Sequence, residues 1–208
     1  MNKVGNVLEA LRRHYGKEAF KVAREPPFRA LIGCILSQRT RDENASKATD
    51  TLFAAASTPQ EILALEPETL RRLIKTSGYY NQKAKHITGA CRALVEDFKG
   101  ETPAIRAELL SLPGVGPKTA DIVLSYGYGE PAIAVDTHIH RVSRRVGLAE
   151  PEATPEEVKE ALESALPRRD WGYTDGALLQ LGKDFCKQTK PKCGRCPLRE
   201  LCDNEKSD

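Results

Sequence analysis

Lys118 stands two residues past a Gly-Val-Gly turn, and Asp136 follows eighteen residues later. The two stretches read Leu112-Pro113-Gly114-Val115-Gly116-Pro117-Lys118-Thr119-Ala120 and Val135-Asp136-Thr137-His138. Glycine tolerates positive φ, so Gly114 and Gly116 allow a tight turn between two helices. In such a turn consecutive backbone N–H groups converge beside the positive end of the second helix and form a nest for an anion. Val115 is expected to pack inward and hold the turn. Such a nest grips phosphate through the main chain alone and carries no base-sequence information. Lys118 falls in the first turn of the second helix, where a cation is unfavourable. That placement is expected to favour the neutral amine, a nucleophile able to form a Schiff base at an electrophilic carbon. The plainer role for it is a solvated or phosphate-contacting cation. Asp136 precedes Thr137-His138-Ile139-His140-Arg141-Val142 and reads as an N-cap. A carboxylate held there could also steady a sugar as it becomes an oxocarbenium-like cation.

A second cluster of reactive residues lies further on. Cys186, Cys193, Cys196 and Cys202 follow the spacing C-x6-C-x2-C-x5-C. In a reducing compartment this points to metal before disulfides. Structural zinc sites pair two tight knuckles, and here there is one. The wider, irregular spacing favours a [4Fe–4S] cluster, with zinc second and disulfides last. Lys190, Lys192 and Arg195 bracket the tight pair. They either compensate the negative charge of a cluster or offer cations to phosphate. Cys34 and Cys91 lie in apolar helical patterns and read as small buried hydrophobes.

The elements that must carry these groups are helical nearly throughout. Val4, Val7, Leu8, Leu11 and Tyr15 share one face of a first helix that Gly16 ends, and residues 27–37 suggest a buried helix. Asp42 is expected to cap a helix to about residue 56. Thr58-Pro59-Gln60-Glu61 and Thr154-Pro155-Glu156-Glu157 read as capping boxes. Further helices fit 67–77, 81–98, 104–112, 117–126, 136–147 and 170–185. Strand alternation is not evident, so the fold class is all-α. The 208 residues are 40% hydrophobic and 29% charged, with a net charge of +3. That is ordinary for a globular chain and leaves room for one domain or two small ones. No apolar run reaches membrane-spanning length and no signal-peptide pattern is evident, so a cytoplasmic, nucleoid-associated, non-secreted protein is expected. The charge is unevenly placed. Arg71, Arg72, Lys75, Lys83, Lys85 and Arg92 form one acid-free run, and His138, His140, Arg141, Arg144 and Arg145 another. Together with the third, around the cysteines, they could present a basic face to a polyanion.

The stretch 112–141, the cysteine spacing, Leu36-Ser37-Gln38 and Gly78-Tyr79-Tyr80-Asn81-Gln82-Lys83-Ala84 together resemble the endonuclease III family of helix–hairpin–helix DNA glycosylases. The resemblance covers most of the chain. It implies a two-lobed all-α fold, with a six-helix lobe (21–131), an iron-sulfur lobe from both termini (1–20 and 132–208) and a DNA-binding cleft between. It implies a monomer acting on double-stranded DNA with damaged bases or abasic sites, and removal of oxidised or ring-saturated pyrimidines followed by an AP lyase step. In that reading Lys118 is the nucleophile and Asp136 the catalytic carboxylate. Gly114, Val115 and Gly116 bind phosphate, and the four cysteines hold the cluster. Counting back without gaps from Asp42 puts Arg39 where the family often carries a glutamine wedge, with Gln38 one position earlier. Tyr79 falls where an apolar wedge is usual, and a tyrosine can stack there equally well. A monofunctional mismatch glycosylase, a non-enzymatic DNA-binding module and a redox-sensing iron-sulfur protein are the competing readings.

Overall fold

The computed structural model describes residues 3–20 and 24–204, and every regular element among them is helical. In chain order the helices are α1 (Lys3–Tyr15), α2 (Pro27–Ser37), α3 (Asp42–Ala55), α4 (Pro59–Ala64), α5 (Pro67–Leu73) and α6 (Tyr80–Asp97). Then come α7 (Arg106–Ser111), α8 (Pro117–Ile122), α9 (Thr137–Val146), α10 (Pro155–Ala165) and α11 (Trp171–Asp184). No described helix is long and apolar enough to cross a membrane. The chain divides into two compact units, Ala23–Glu130 and a discontinuous one of Met1–Val22 with Pro131–Asp208.

The central unit is organised on α2. Its sequence, Pro-Phe-Arg-Ala-Leu-Ile-Gly-Cys-Ile-Leu-Ser, is apolar on nearly every side, and such a helix must be enclosed. Leu31, Ile32, Ile35 and Leu36 are all at 0% exposure. They share a core with Ala48 and Leu52 of α3, Ile87, Cys91 and Leu94 of α6, and Ala120 of α8. Removing one of these large side chains to alanine costs roughly 2–5 kcal/mol by transfer and cavity terms. The discontinuous unit has its own core. In it Val4, Val7, Leu8 and Leu11 of α1 join Ile139, Val142 and Val146 of α9, Val158 and Leu162 of α10, and Ala177, Leu178 and Leu181 of α11.

Local chemistry explains most helix boundaries. Gly16 ends α1 at φ 93°. Both capping boxes are present, with Thr58 accepting from the Glu61 N–H and Thr154 from the Glu157 N–H. Asp42 departs from expectation. It lies inside the first turn of α3, and Arg41 occupies the cap position without a side-chain bond. The helix starts at Asp42 because the Arg41 carbonyl accepts from the amides of Asn44 and Ala45. Two expected helices also break early. Residues 67–77 divide into α5 and a tight 3-10 turn at Lys75–Ser77, and α8 passes at Val123 into a π-helical turn that ends at Tyr128.

Candidate active site and metal centre

The hairpin is built from the end of α7, the turn 112–116 and the start of α8. Gly114 has φ 80°, the left-handed region that glycine enters freely. A Cβ there would lie 2.6 Å from the His86 Cβ, so space as well as backbone demands glycine. Gly116 differs from the expectation of positive φ at both flanks. It is extended, at φ −106°, in the ordinary geometry of an N-cap, and a Cβ there would meet nothing within 4 Å. Its value is an open approach to the backbone. The Val115 N–H also departs from the expected nest, because it closes the turn on the Leu112 carbonyl at 3.1 Å. The Val115 side chain packs against the core as expected. The amides of Gly114 and Gly116 flank it and donate to no backbone carbonyl among the described residues. A bidentate ion pair braces the hairpin from behind. Arg106 donates from Nε at 2.9 Å and from Nη2 at 3.2 Å to the carboxylate of buried Asp121. Nothing in the sequence pattern signals this pair.

Lys118 is the second residue of α8, just after Pro117, and its side chain is exposed. Cys34 of α2 is within electrostatic reach of it. Burial pushes the Cys34 thiol up to about 12, against the lowering effect of the Lys118 cation. Cys34 keeps some residue exposure although its thiol is largely enclosed, and Cys91 is fully buried. Asp136 belongs to the discontinuous unit. It caps α9 as expected, and its Oδ1 accepts from the N–H groups of His138 and Ile139, both at 2.8 Å. Gln38, Arg39 and Tyr79 line one depression with Gln82, Lys83 and His86. Gln38 is committed to the hairpin, donating from Nε2 to the Gly114 carbonyl at 2.9 Å. Arg39 and Tyr79 are exposed, and both sit at left-handed φ, 51° and 48°.

The cysteines come together. Cys186, Cys193, Cys196 and Cys202 line a single pocket with Phe185, Pro191, Arg145 and Arg199, and none forms a disulfide. A 3-10 turn at Cys193–Arg195 lets the Cys196 N–H reach the Cys193 carbonyl at 3.1 Å, which sets two of the thiols on one turn. The Arg145 carbonyl accepts from the Asn204 N–H at 2.9 Å and anchors the end of the loop.

Comparison with known proteins places this arrangement. The family described as HhH-GPD superfamily base excision DNA repair protein matches residues 32–168, and the iron-sulfur binding domain of endonuclease III matches residues 189–202. Endonuclease III of Thermotoga maritima is 50% identical over 177 residues, 85% of this chain and 83% of that one. This chain belongs to the endonuclease III family. Endonuclease III of Escherichia coli strain K12 is 40% identical over 211 residues, covering 100% of each chain. The solved structure of a trapped endonuclease III–DNA covalent intermediate, an estranged-adenine complex, matches with a TM-score of 0.89 at 35% identity. It covers 98% of this chain and 96% of that one. As a member of the endonuclease III family the chain is a DNA glycosylase and AP lyase of base excision repair, and it carries a [4Fe–4S] cluster.

The pocket suits the cluster of the endonuclease III family. Burial raises the Cys196 and Cys202 thiols, and the other cysteines raise them further. The backbone amides of Leu198 and Asn204 act in the opposite sense, through hydrogen bonds to those same residues. A set of half-buried sulfurs that repel one another as thiolates is stable only around positive charge, which iron supplies. Among the described residues no group of three or more His, Cys, Asp or Glu is disposed to hold a lone metal ion. Arg145 reaches the same centre, from Nη1 to the Cys186 Sγ at 3.7 Å and to the Lys187 carbonyl at 2.8 Å. Arg141 donates from Nε to the Cys186 carbonyl at 2.8 Å and from Nη2 to the Gly182 carbonyl at 3.2 Å. Buried Lys83 leaves the basic face that charge counting suggests, whereas Arg141 and Arg145 are half-buried and line a surface depression with His140 and Arg144. Lys190, Lys192 and Arg195 remain exposed on the cluster loop.

Proposed function

We propose that the chain removes oxidised or ring-saturated pyrimidines from duplex DNA as a monomer, with Lys118 as nucleophile and Asp136 as the carboxylate that steadies the sugar cation. The observation that carries this reading is the exposed Lys118 amine on the first turn of the helix leaving the hairpin. The Gly114 and Gly116 amides hold the backbone of the damaged strand without reading its sequence. The damaged nucleotide is extruded from the stack. Arg39 fills the gap, because Gln38 is spent on the Gly114 carbonyl, and Tyr79 stacks on the orphaned base. Lys190, Lys192 and Arg195 add phosphate contacts from the cluster loop.

The chemistry follows from the two groups. Once deprotonated, the Lys118 amine attacks the sugar C1′, and the base departs with the bonding electron pair and takes up a proton. The Asp136 carboxylate offsets the positive charge that develops on the sugar. The ring opens to an iminium between C1′ and Nζ. Loss of a C2′ proton then expels the 3′ phosphate and nicks the strand, and water releases the lysine. The cluster's part is structural: ligation energy fixes a short loop that has little core of its own. Borohydride reduction of the enzyme on duplex containing thymine glycol or an abasic site tests the reading. A covalent adduct is expected from the wild type and not from Lys118→Ala. Base release without any adduct would show a monofunctional glycosylase, and binding without either activity a DNA-binding module.

A further inference from the structure

The basic run of α6 contains one lysine that does not face solvent. Lys83 is 3% exposed. Its Nζ donates to the Leu36 carbonyl at 2.7 Å, to the Thr40 Oγ1 at 2.7 Å and to the Ser77 carbonyl at 2.8 Å. An ammonium has three donors and no acceptor, so its hydrogen-bonding capacity is filled. No carboxylate pairs with it among the described residues. The three acceptors come from two separate places. Leu36 and Thr40 flank the turn after α2 that carries Arg39, and Ser77 precedes the turn that carries Tyr79. Thr40 Oγ1 in turn donates to the Ser77 carbonyl, which ties the two turns directly. The Lys83 backbone N–H adds a bond to the Tyr79 carbonyl at 3.1 Å.

We propose that Lys83 is the positioning residue for duplex interrogation: its buried ammonium clamps the Arg39 turn to the Tyr79 turn, so that the two side chains enter the DNA as one rigid unit. This rests on the reading of Arg39 and Tyr79 as the inserting pair. Two features support a clamp over simple filling. Arg39 and Tyr79 both hold left-handed backbone, which is strained for any residue but glycine and persists only where neighbouring contacts over-determine it. The contacts that fix them fall on the adjoining residues, Thr40 beside Arg39 and Ser77 two before Tyr79. Burial also lowers the Lys83 pKa to about 8, a desolvation cost that an apolar side chain of the same length would avoid. Both carbonyls lie at the C-terminal ends of helical turns, α2 and Lys75–Ser77, where a cation is favoured over a neutral donor.

The test uses the cluster-loaded full chain and a duplex with a tetrahydrofuran abasic analogue and 2-aminopurine beside the orphaned base, whose fluorescence rises when insertion separates the two. Folded Lys83→Met is expected to lose most of that rise and to excise thymine glycol from duplex at least tenfold more slowly. Its borohydride adduct with a single-stranded abasic oligonucleotide, which has no orphaned base, should stay within twofold of wild type. A full fluorescence rise, or an equal loss on the single strand, overturns the clamp. Should Lys83→Met not fold, Thr40→Val decides. A weaker form of the same split supports the proposal, and a full rise overturns it. Arg39→Ala and Tyr79→Ala separate the two ideas. If neither reduces the rise, the insertion reading fails and the clamp fails with it. If they do and Lys83→Met does not, the clamp alone fails.

Discussion

The cap that Asp136 forms and the catalytic role proposed for it can be separated by choice of substitution. Its Oδ1 accepts two N–H groups at the start of α9, and a carboxylate at that point can also face a cationic sugar. Asparagine keeps the cap and removes the charge, whereas alanine removes both. Asp136→Asn is therefore expected to melt within a degree or two of wild type while excising thymine glycol at least a hundredfold more slowly in single-turnover assays. Asp136→Ala should show the same loss of rate and about 1 kcal/mol less stability. Wild-type turnover in a folded Asp136→Asn would remove the residue from the chemistry. The cap was legible in the sequence because it depends on residues two and three positions away. Lys83 was not. Its acceptors Leu36 and Thr40 lie 47 and 43 residues off, so charge counting puts it in a basic run although its amine is buried. The carbonyl partners of Arg141 and Arg145, more than forty residues away, were equally illegible.

At the level of elements, the two capping boxes proved sound, whereas the cap expected at Asp42 and the even winding expected over 117–126 did not. Both capping boxes form because Ser/Thr and Glu three positions apart complete them with no help from the rest of the chain. The helix expected over 117–126 changes to π-helical winding at Val123, and nothing in its periodicity marks the change. The hairpin turn was legible, but its brace was not, because Arg106 and Asp121 belong to separate helices. Asp121 is 2% exposed, so deleting Arg106 takes a bidentate partner from a buried carboxylate. Arg106→Ala is expected to lower stability in urea unfolding and to weaken abasic-DNA binding, while Arg106→Ala/Asp121→Ala together recovers part of the stability. The capping box of α10 supplies a pH test. Hydrogen bonds from the Thr154 backbone and hydroxyl hold the Glu157 carboxyl below its ordinary value of 4.5. A carboxyl lowered on folding contributes stability above its unfolded pKa and loses it as pH falls through the folded one. The gap in melting temperature between wild type and Glu157→Gln should therefore be full at neutral pH and close on acidification below about pH 4.5.

For the molecule as a whole, the chain divides its labour between two hydrophobic cores. One is enclosed within Ala23–Glu130, and the other is assembled from Met1–Val22 and Pro131–Asp208. The second has the harder task. Its α1 must find α10 and α11 across more than a hundred residues of intervening chain, and its last stretch, with the cysteines, gives the core one fully buried side chain, Leu198, and otherwise only partly buried ones such as Leu201. Cluster ligation compensates for this, since metal-binding free energy becomes folding free energy where no preformed site exists. The cysteine cluster was signalled by spacing, but its hold on the rest of the unit runs through Arg145, which takes the Cys186 sulfur with its guanidinium and the Asn204 amide with its carbonyl. Loss of the cluster should loosen one unit and spare the other. In Cys196→Ser, amide hydrogen exchange is expected to quicken first over 186–204, then through α9 and α11, which Arg141 and Arg145 connect to the loop. Protection of α2 and α6, enclosed in the central core, should stay close to wild type. Uniform loss of protection across both cores would mean that the two units fold as a single cooperative structure and that the cluster stabilises the entire chain.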